Sequence, residues 1–233
     1  MTLCSRAPIL GEKSLENASY MPLKPVDWSV IVLGSWNRAI LTPAGIGLRI
    51  LEVPEGTPLE VLIAVDAIAP PKVSHDDTII TAHSSRLTVE PKDLYYPNLD
   101  KARGLASKAL NALPETPVRA VGVNVNYVIE DEECAVSDEI FSKELDNRLS
   151  DIALEIKNWD FGRTISWEDG LVNISESLDE NGEHHVNFNF ERKSNNQADL
   201  LEWLKIPISN VEQFVKSYFE NILEIPFTDK RHE

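Results

Sequence analysis

The chain has 233 residues, with 22 Lys+Arg against 38 Asp+Glu and a formal net charge of −16. Hydrophobic residues are 42% and aromatics 7%, a globular mix that excludes a collagen repeat, a Cys-rich secreted scaffold and a low-complexity disordered chain. The excess acid is uneven, with net −2 over residues 1–116 and −14 over 117–233. That argues against a chain built to hold nucleic acid, which needs clustered Lys and Arg, and suits a basic partner.

Residues 1–26 read as a polar tail, with Met21 as an alternative start. Trp28–Gly34 is continuously apolar and β-branched, which predicts a strand buried on both faces. Thr42-Pro43 has the form of an N-cap with proline at the first helical position, opening a short helix to about Leu51. Leu59–Val65 reads as a strand, Asp66–Pro71 as a Pro-rich connection, and Thr78–Ala82 with Arg86–Val89 as a hairpin around His83-Ser84-Ser85. Asn98 is expected to cap a helix whose stripe is Leu99, Ala102, Ala106, Ala109, Leu110 and Leu113.

The second half begins with Val118–Ile129. Val121, Val123, Val125, Tyr127 and Ile129 alternate there against Gly122, Asn124, Asn126 and Val128. Ser137 is expected to cap a helix to about Lys157. Strands follow at Phe161–Trp167, Leu171–Leu178 and His185–Arg192, joined by Asp169-Gly170 and Asn181-Gly182 turns. A helical region from about Ala198 to Leu223 is broken at Pro207 and restarted by a capping box at Ser209-Asn210-Val211-Glu212.

Both halves, 27–116 and 117–233, therefore read β-α-β-β-β-α. The fold class expected is α+β, with antiparallel sheets, helices on one face and the two halves in a pseudo-symmetric arrangement. That order resembles the tandem-duplicated fold of the TATA-binding-protein type, over roughly residues 27–223. The resemblance implies a saddle of two units. The basic strand face that contacts DNA in that fold has no counterpart here, so DNA binding is not implied. The stretches Trp28–Pro43, Val53–Glu60 and Arg86–Pro91 also resemble a sporadic family of bacterial proteins of no known activity, which implies a bacterial or phage origin.

No catalytic motif stands out. His75-Asp76-Asp77 with His83 has metal-ligand chemistry, but a catalytic zinc needs three convergent ligands and this is ordinary loop composition. His184 and His185 are adjacent on a strand, so they point to opposite faces, and they read as exposed turn histidines. Cys134 lies among Glu130, Asp131, Glu132 and Glu133, which disfavour a thiolate. Gly45-Ile46-Gly47 lacks the rest of a dinucleotide fingerprint. Cys4 and Cys134, the only cysteines, predict free thiols in a reducing cytoplasm. No apolar run reaches the roughly 18–20 residues of a membrane helix, and the first 20 residues lack the basic start and apolar core of a signal peptide.

The functional expectation is a non-enzymatic interaction protein without cofactor or metal, in a defence or toxin-neutralising system. Its partner is a basic protein, and a homo-oligomer is compatible with the sequence. The contact residues expected are Glu130, Asp131, Glu132 and Glu133, with Trp36 and Arg38 after the first strand and Asn124 and Asn126 on a polar strand face. Two alternatives are a small-ligand-binding or enzymatic domain with a pocket between sheet and helices near Trp36, Arg38 and His83, and nucleic-acid binding on the sheet face if it gathers Arg38, Arg86 and Arg119.

Overall fold

A computed structural model describes residues 23–63, 69–129, 159–178 and 183–227. The predicted helix over 137–157, the Asn181-Gly182 turn and the run Glu130–Glu133 lie outside the described residues. The fold is α+β. Its nine described strands are β1 Leu23–Gly34, β2 Glu60–Leu62, β3 Lys72–His75, β4 Thr78–Ala82, β5 Arg86–Pro91, β6 Val118–Ile129, β7 Trp159–Trp167, β8 Gly170–Leu178 and β9 His184–Lys193. They form one sheet in the order β2-β3-β4-β5-β1-β6-β9-β8-β7, and every pairing is antiparallel. The sheet runs without a break from one half of the chain to the other, because β1 pairs with β6 along most of its length.

One row of partners crosses all nine strands: Val61, Val73, Ile80, Val89, Val30, Val123, Phe190, Val172 and Ile165. Every member is apolar. Since facing residues of neighbouring strands share a side of the sheet, this row defines the core face. Four described helices are α1 Pro43–Ile46, α2 Tyr96–Ala112, α3 Gln197–Trp203 and α4 Ile208–Asn221. Ring contacts seat α2, α3 and α4 on the apolar side. Tyr96 lies 4.8 Å from Trp28, Phe214 lies 5.5 Å from Phe190, Tyr218 lies 5.3 Å from Phe188, and Trp203 lies 6.2 Å from Trp167. Buried aromatic pairs of this kind contribute about 0.5–1.5 kcal/mol each beyond the area they bury. Arg103 of α2 donates to the Ile206 carbonyl and so ties α2 to the connection between α3 and α4.

Local chemistry explains most element ends. Thr42 Oγ1 accepts from Gly45 N at 3.1 Å, and Pro43 opens α1 as expected. α1 widens into a π-type turn over Gly47–Leu51, closed by Glu52 at φ 57°. β6 spans the predicted residues, with the predicted alternation.

Four expectations are corrected. β1 is fully buried on its core face only: Trp28, Val30 and Val32 are buried, while on the other side Ser29 is buried but Ile31 is partly exposed and Leu33 is 38% exposed. A strand not anticipated, β3, follows the Pro-rich connection at Lys72–His75, where the composition around His75 suggests only a loop, so the first half carries five strands. Asn98 does not cap α2. The helix begins at Tyr96, with Pro97 in the first turn where its missing N–H costs nothing, and Asn98 is buried inside it. The break at Pro207 is real, but Ser209 lies within α4 and makes no cap; Pro207 itself occupies the cap position.

Candidate functional site

On the face opposite the core, polar side chains form a second row. Ser29, Asn124, Asn189, Asn173 and Thr164 are register partners on β1, β6, β9, β8 and β7. They join in an unbroken hydrogen-bond chain. Thr164 Oγ1 donates to Asn173 Oδ1 at 2.8 Å, and Asn173 Nδ2 donates to Asn189 Oδ1 at 3.1 Å. Asn189 Nδ2 donates to Asn124 Oδ1 at 2.6 Å, and Asn124 Nδ2 to Ser29 Oγ at 3.0 Å. Gly122, beside the row, makes room for it, since a Cβ there would stand 3.2 Å from Asn189 Nδ2. One strand position further along, Asn187 Nδ2 reaches Ser175 Oγ at 3.3 Å, and Asn126 Nδ2 reaches the Asp27 carbonyl at 3.1 Å.

The three ladder asparagines are half-buried. Each amide has two N–H donors and two acceptor lone pairs, and the chain uses only one of each at Asn124, Asn173 and Asn189. The rest can meet a ligand. Charges on this face are few and mixed. Lys72 pairs with Glu90 at 3.2 Å and Lys193 with Glu191 at 2.9 Å, while Arg86 makes no ion pair among the described residues.

Of the sequence-derived candidates, Asn124 and Asn126 fall on this face. Arg38 is exposed in the turn after β1. Trp36 is not available to a partner. It is 3% exposed, and its Nε1 donates to the Val32 carbonyl at 3.1 Å, which pins the turn to the strand before it. His75 and Asp76 stand 3.5 Å apart, and among the described residues no three His, Cys, Asp or Glu side chains gather as a metal site.

His184 and His185 do take opposite faces, but the expectation of two exposed histidines is corrected. His184 is 3% exposed, its Nε2 lying 3.6 Å from Glu176 Oε2 on β8. Glu176 also accepts from Tyr218 and stands 3.3 Å from Arg163 of β7, whose guanidinium lies 4.1 Å over the Phe161 ring. Burial pushes the Glu176 carboxyl up, but the bonds from His184 and Tyr218 and the charge of Arg163 outweigh it and hold the group below its ordinary value. Sequence reading missed this cluster because its members are dispersed over four elements. The one available signal was Glu176, a carboxylate at a core-facing position of an alternating strand.

Comparison with models of known protein families and with characterised proteins finds no match for this chain. Among the described residues, no helix is long and apolar enough to cross a membrane.

Proposed function

We propose that this protein acts by binding a protein partner and not by catalysis, and that the amide face of the sheet is the surface that receives it. The observation carrying this reading is the hydrogen-bonded row from Ser29 to Thr164, which spans five strands yet keeps unused donors and acceptors. A row of fixed amides offers the hydrogen bonding of a peptide backbone without charge, so it suits main-chain and polar side-chain contacts. The acidic run Glu130–Glu133 follows β6 directly in sequence and supplies long-range attraction for a basic partner.

The reading includes two finer points. The halves are structural copies: β1-β5-β4-β3 on one side of the centre is matched by β6-β9-β8-β7 on the other, with β1 and β6 adjacent. The setting is the cytoplasm of a bacterium or its phage, in a defence or toxin-neutralising role, which the two separated cysteines and the sequence resemblances support. Nucleic-acid binding is less well supported, because Glu90 and Glu191 share the face with Arg86.

The test is a captured partner measured against two variants across a salt series. Reversing Glu130, Asp131, Glu132 and Glu133 to Lys weakens capture most at low salt, and Asn124→Ala with Asn189→Ala weakens it at every salt concentration. Unchanged capture by both variants sinks the proposal.

A further inference from the structure

Among the described residues Arg103 and Arg163 make ion pairs, whereas Arg38, Arg49, Arg86, Arg119 and Arg192 make none. Two of these five, Arg38 and Arg86, lie beside His83. His83 and Arg86 close the two-residue turn between β4 and β5, with His83 N donating to the Arg86 carbonyl at 2.8 Å. That turn is fastened to the end of β1 by Gly34 N to the Ser85 carbonyl at 3.1 Å and Trp36 N to the Ser84 carbonyl at 2.9 Å. The turn carrying Arg38 is braced in its place by Ala39 N on Asn37 Oδ1 at 3.0 Å. Buried Trp36 thus fixes where the two cationic turns stand without itself meeting a ligand.

His83 and Arg86 open onto a concavity of about 610 Å³ on the amide side of the sheet. Lys72, Lys92, Thr81 and Thr88 are also in its wall, and the carboxylates there are Asp27 and Glu90. Glu90 is engaged by Lys72 at 3.2 Å. Arg38 stands outside the lining, near enough for its charge to act on His83. Burial first, then the charges of Arg86 and Arg38, hold the imidazole below its ordinary value. Volumes of roughly 300–1,000 Å³ are those of small-molecule sites.

We infer that this concavity is a binding site for a small phosphorylated ligand, with Arg86 and His83 of its wall holding the phosphoryl oxygens and the charge of Arg38 reinforcing them. Guanidinium groups match phosphate oxygens with paired, charge-assisted N–H donors. A doubly charged anion beside Arg86 also offsets the repulsion that disfavours a protonated His83, so the imidazole takes up a proton and adds a further donor. Ser29 of the amide row is in the wall of the concavity, but neither arginine nor His83 belongs to the row or to the acidic run, and the phosphate titration needs no protein partner, so the two readings are tested separately.

The experiment follows the His83 ring by NMR in the full chain, its signals assigned by their loss in His83→Gln. Inorganic phosphate and acetate are titrated in at matched ionic strength. Phosphate is expected to shift the ring signals saturably and raise the His83 titration midpoint. Its apparent affinity should fall at least tenfold in Arg86→Gln and by a smaller factor in Arg38→Gln, both exposed positions whose fold is checked by circular dichroism. Acetate should act at least tenfold more weakly. The inference is overturned if phosphate leaves the His83 ring unmoved, if the arginine variants respond like the parent, or if acetate matches phosphate.

Discussion

Tyr218 on α4 donates its hydroxyl to Glu176 Oε1 on β8 at 2.5 Å, and the two residues are 6% and 1% exposed. The bond joins the helix layer to the sheet through a carboxylate buried among aromatic side chains. Burial and the neighbouring carboxylate hold the Tyr218 phenol far above its ordinary range, so it stays protonated and able to donate at neutral pH.

Tyr218→Phe keeps the ring packed on Phe188 and removes only the hydroxyl. It leaves a buried carboxylate short of one donor, at a cost of about 1–3 kcal/mol. Urea unfolding should show a lower midpoint with an unchanged slope. A midpoint equal to the parent's would mean that the bond adds nothing to stability.

Glu176 also predicts an acid limb. Its folded-state value is depressed below 4.5, the ordinary value that applies once the chain unfolds. A depressed carboxyl adds stability that is fully present above the unfolded value and is lost as pH falls through the folded one. Stability should therefore decline below about pH 4.5, and Glu176→Gln should decline less steeply over that range while being less stable at pH 7. Parallel stability–pH curves for the two proteins would contradict the assignment.

Asn189 is the central link of the amide row, accepting from Asn173 and donating to Asn124. Asn189→Ala breaks both bonds at a half-buried site where water can replace them, so the cost in thermal or urea unfolding is about 1 kcal/mol. The fold survives, while partner capture should fall well beyond what that small loss of stability explains.

Two glycines predict opposite outcomes. Gly104 lies inside α2, and a Cβ there would meet nothing within 4 Å. Gly104→Ala should stabilise by about 0.5–1 kcal/mol, since glycine is a poor residue in a helix interior. A Cβ at Gly45 would stand 1.9 Å from the Ile40 carbonyl oxygen. Gly45→Ala must therefore shift the backbone around the Thr42 cap and should cost about 1–3 kcal/mol. Calorimetric melting points that rise for the first and fall for the second are the expected result.

Much of the architecture was legible residue by residue. Strict alternation from Val121 to Ile129 marked β6 and its two faces, because successive side chains on a strand point opposite ways. Thr42-Pro43 announced a helix start, since its chemistry is local. β3 was hidden behind Pro70-Pro71, and its four residues make a strand only because β2 and β4 pair with it on either side. The start of α2 was misplaced because Asn98 looks like a cap in sequence, whereas the backbone is already helical at Tyr96.

The candidate site was half legible. Alternation placed Asn124 and Asn126 on a polar strand face, but could not align them with Asn187 and Asn189 of β9. Asn189 and Asn124 are 65 residues apart, and they bond only because β6 and β9 pair in one register; a slip of one residue would turn the amides inward. His184 looked like a turn residue because its burial depends on Glu176 and Tyr218, on other elements. By itself the sequence determined the α+β class, the identity of most strands and the uneven charge, all set by composition and by contacts between near neighbours. The tertiary structure alone decided the single continuous sheet, the amide row, the buried Glu176 cluster and the cationic turns around His83. Each is made of residues distant in the chain, and only the closing of long-range strand pairs brings them within hydrogen-bonding or Coulombic reach.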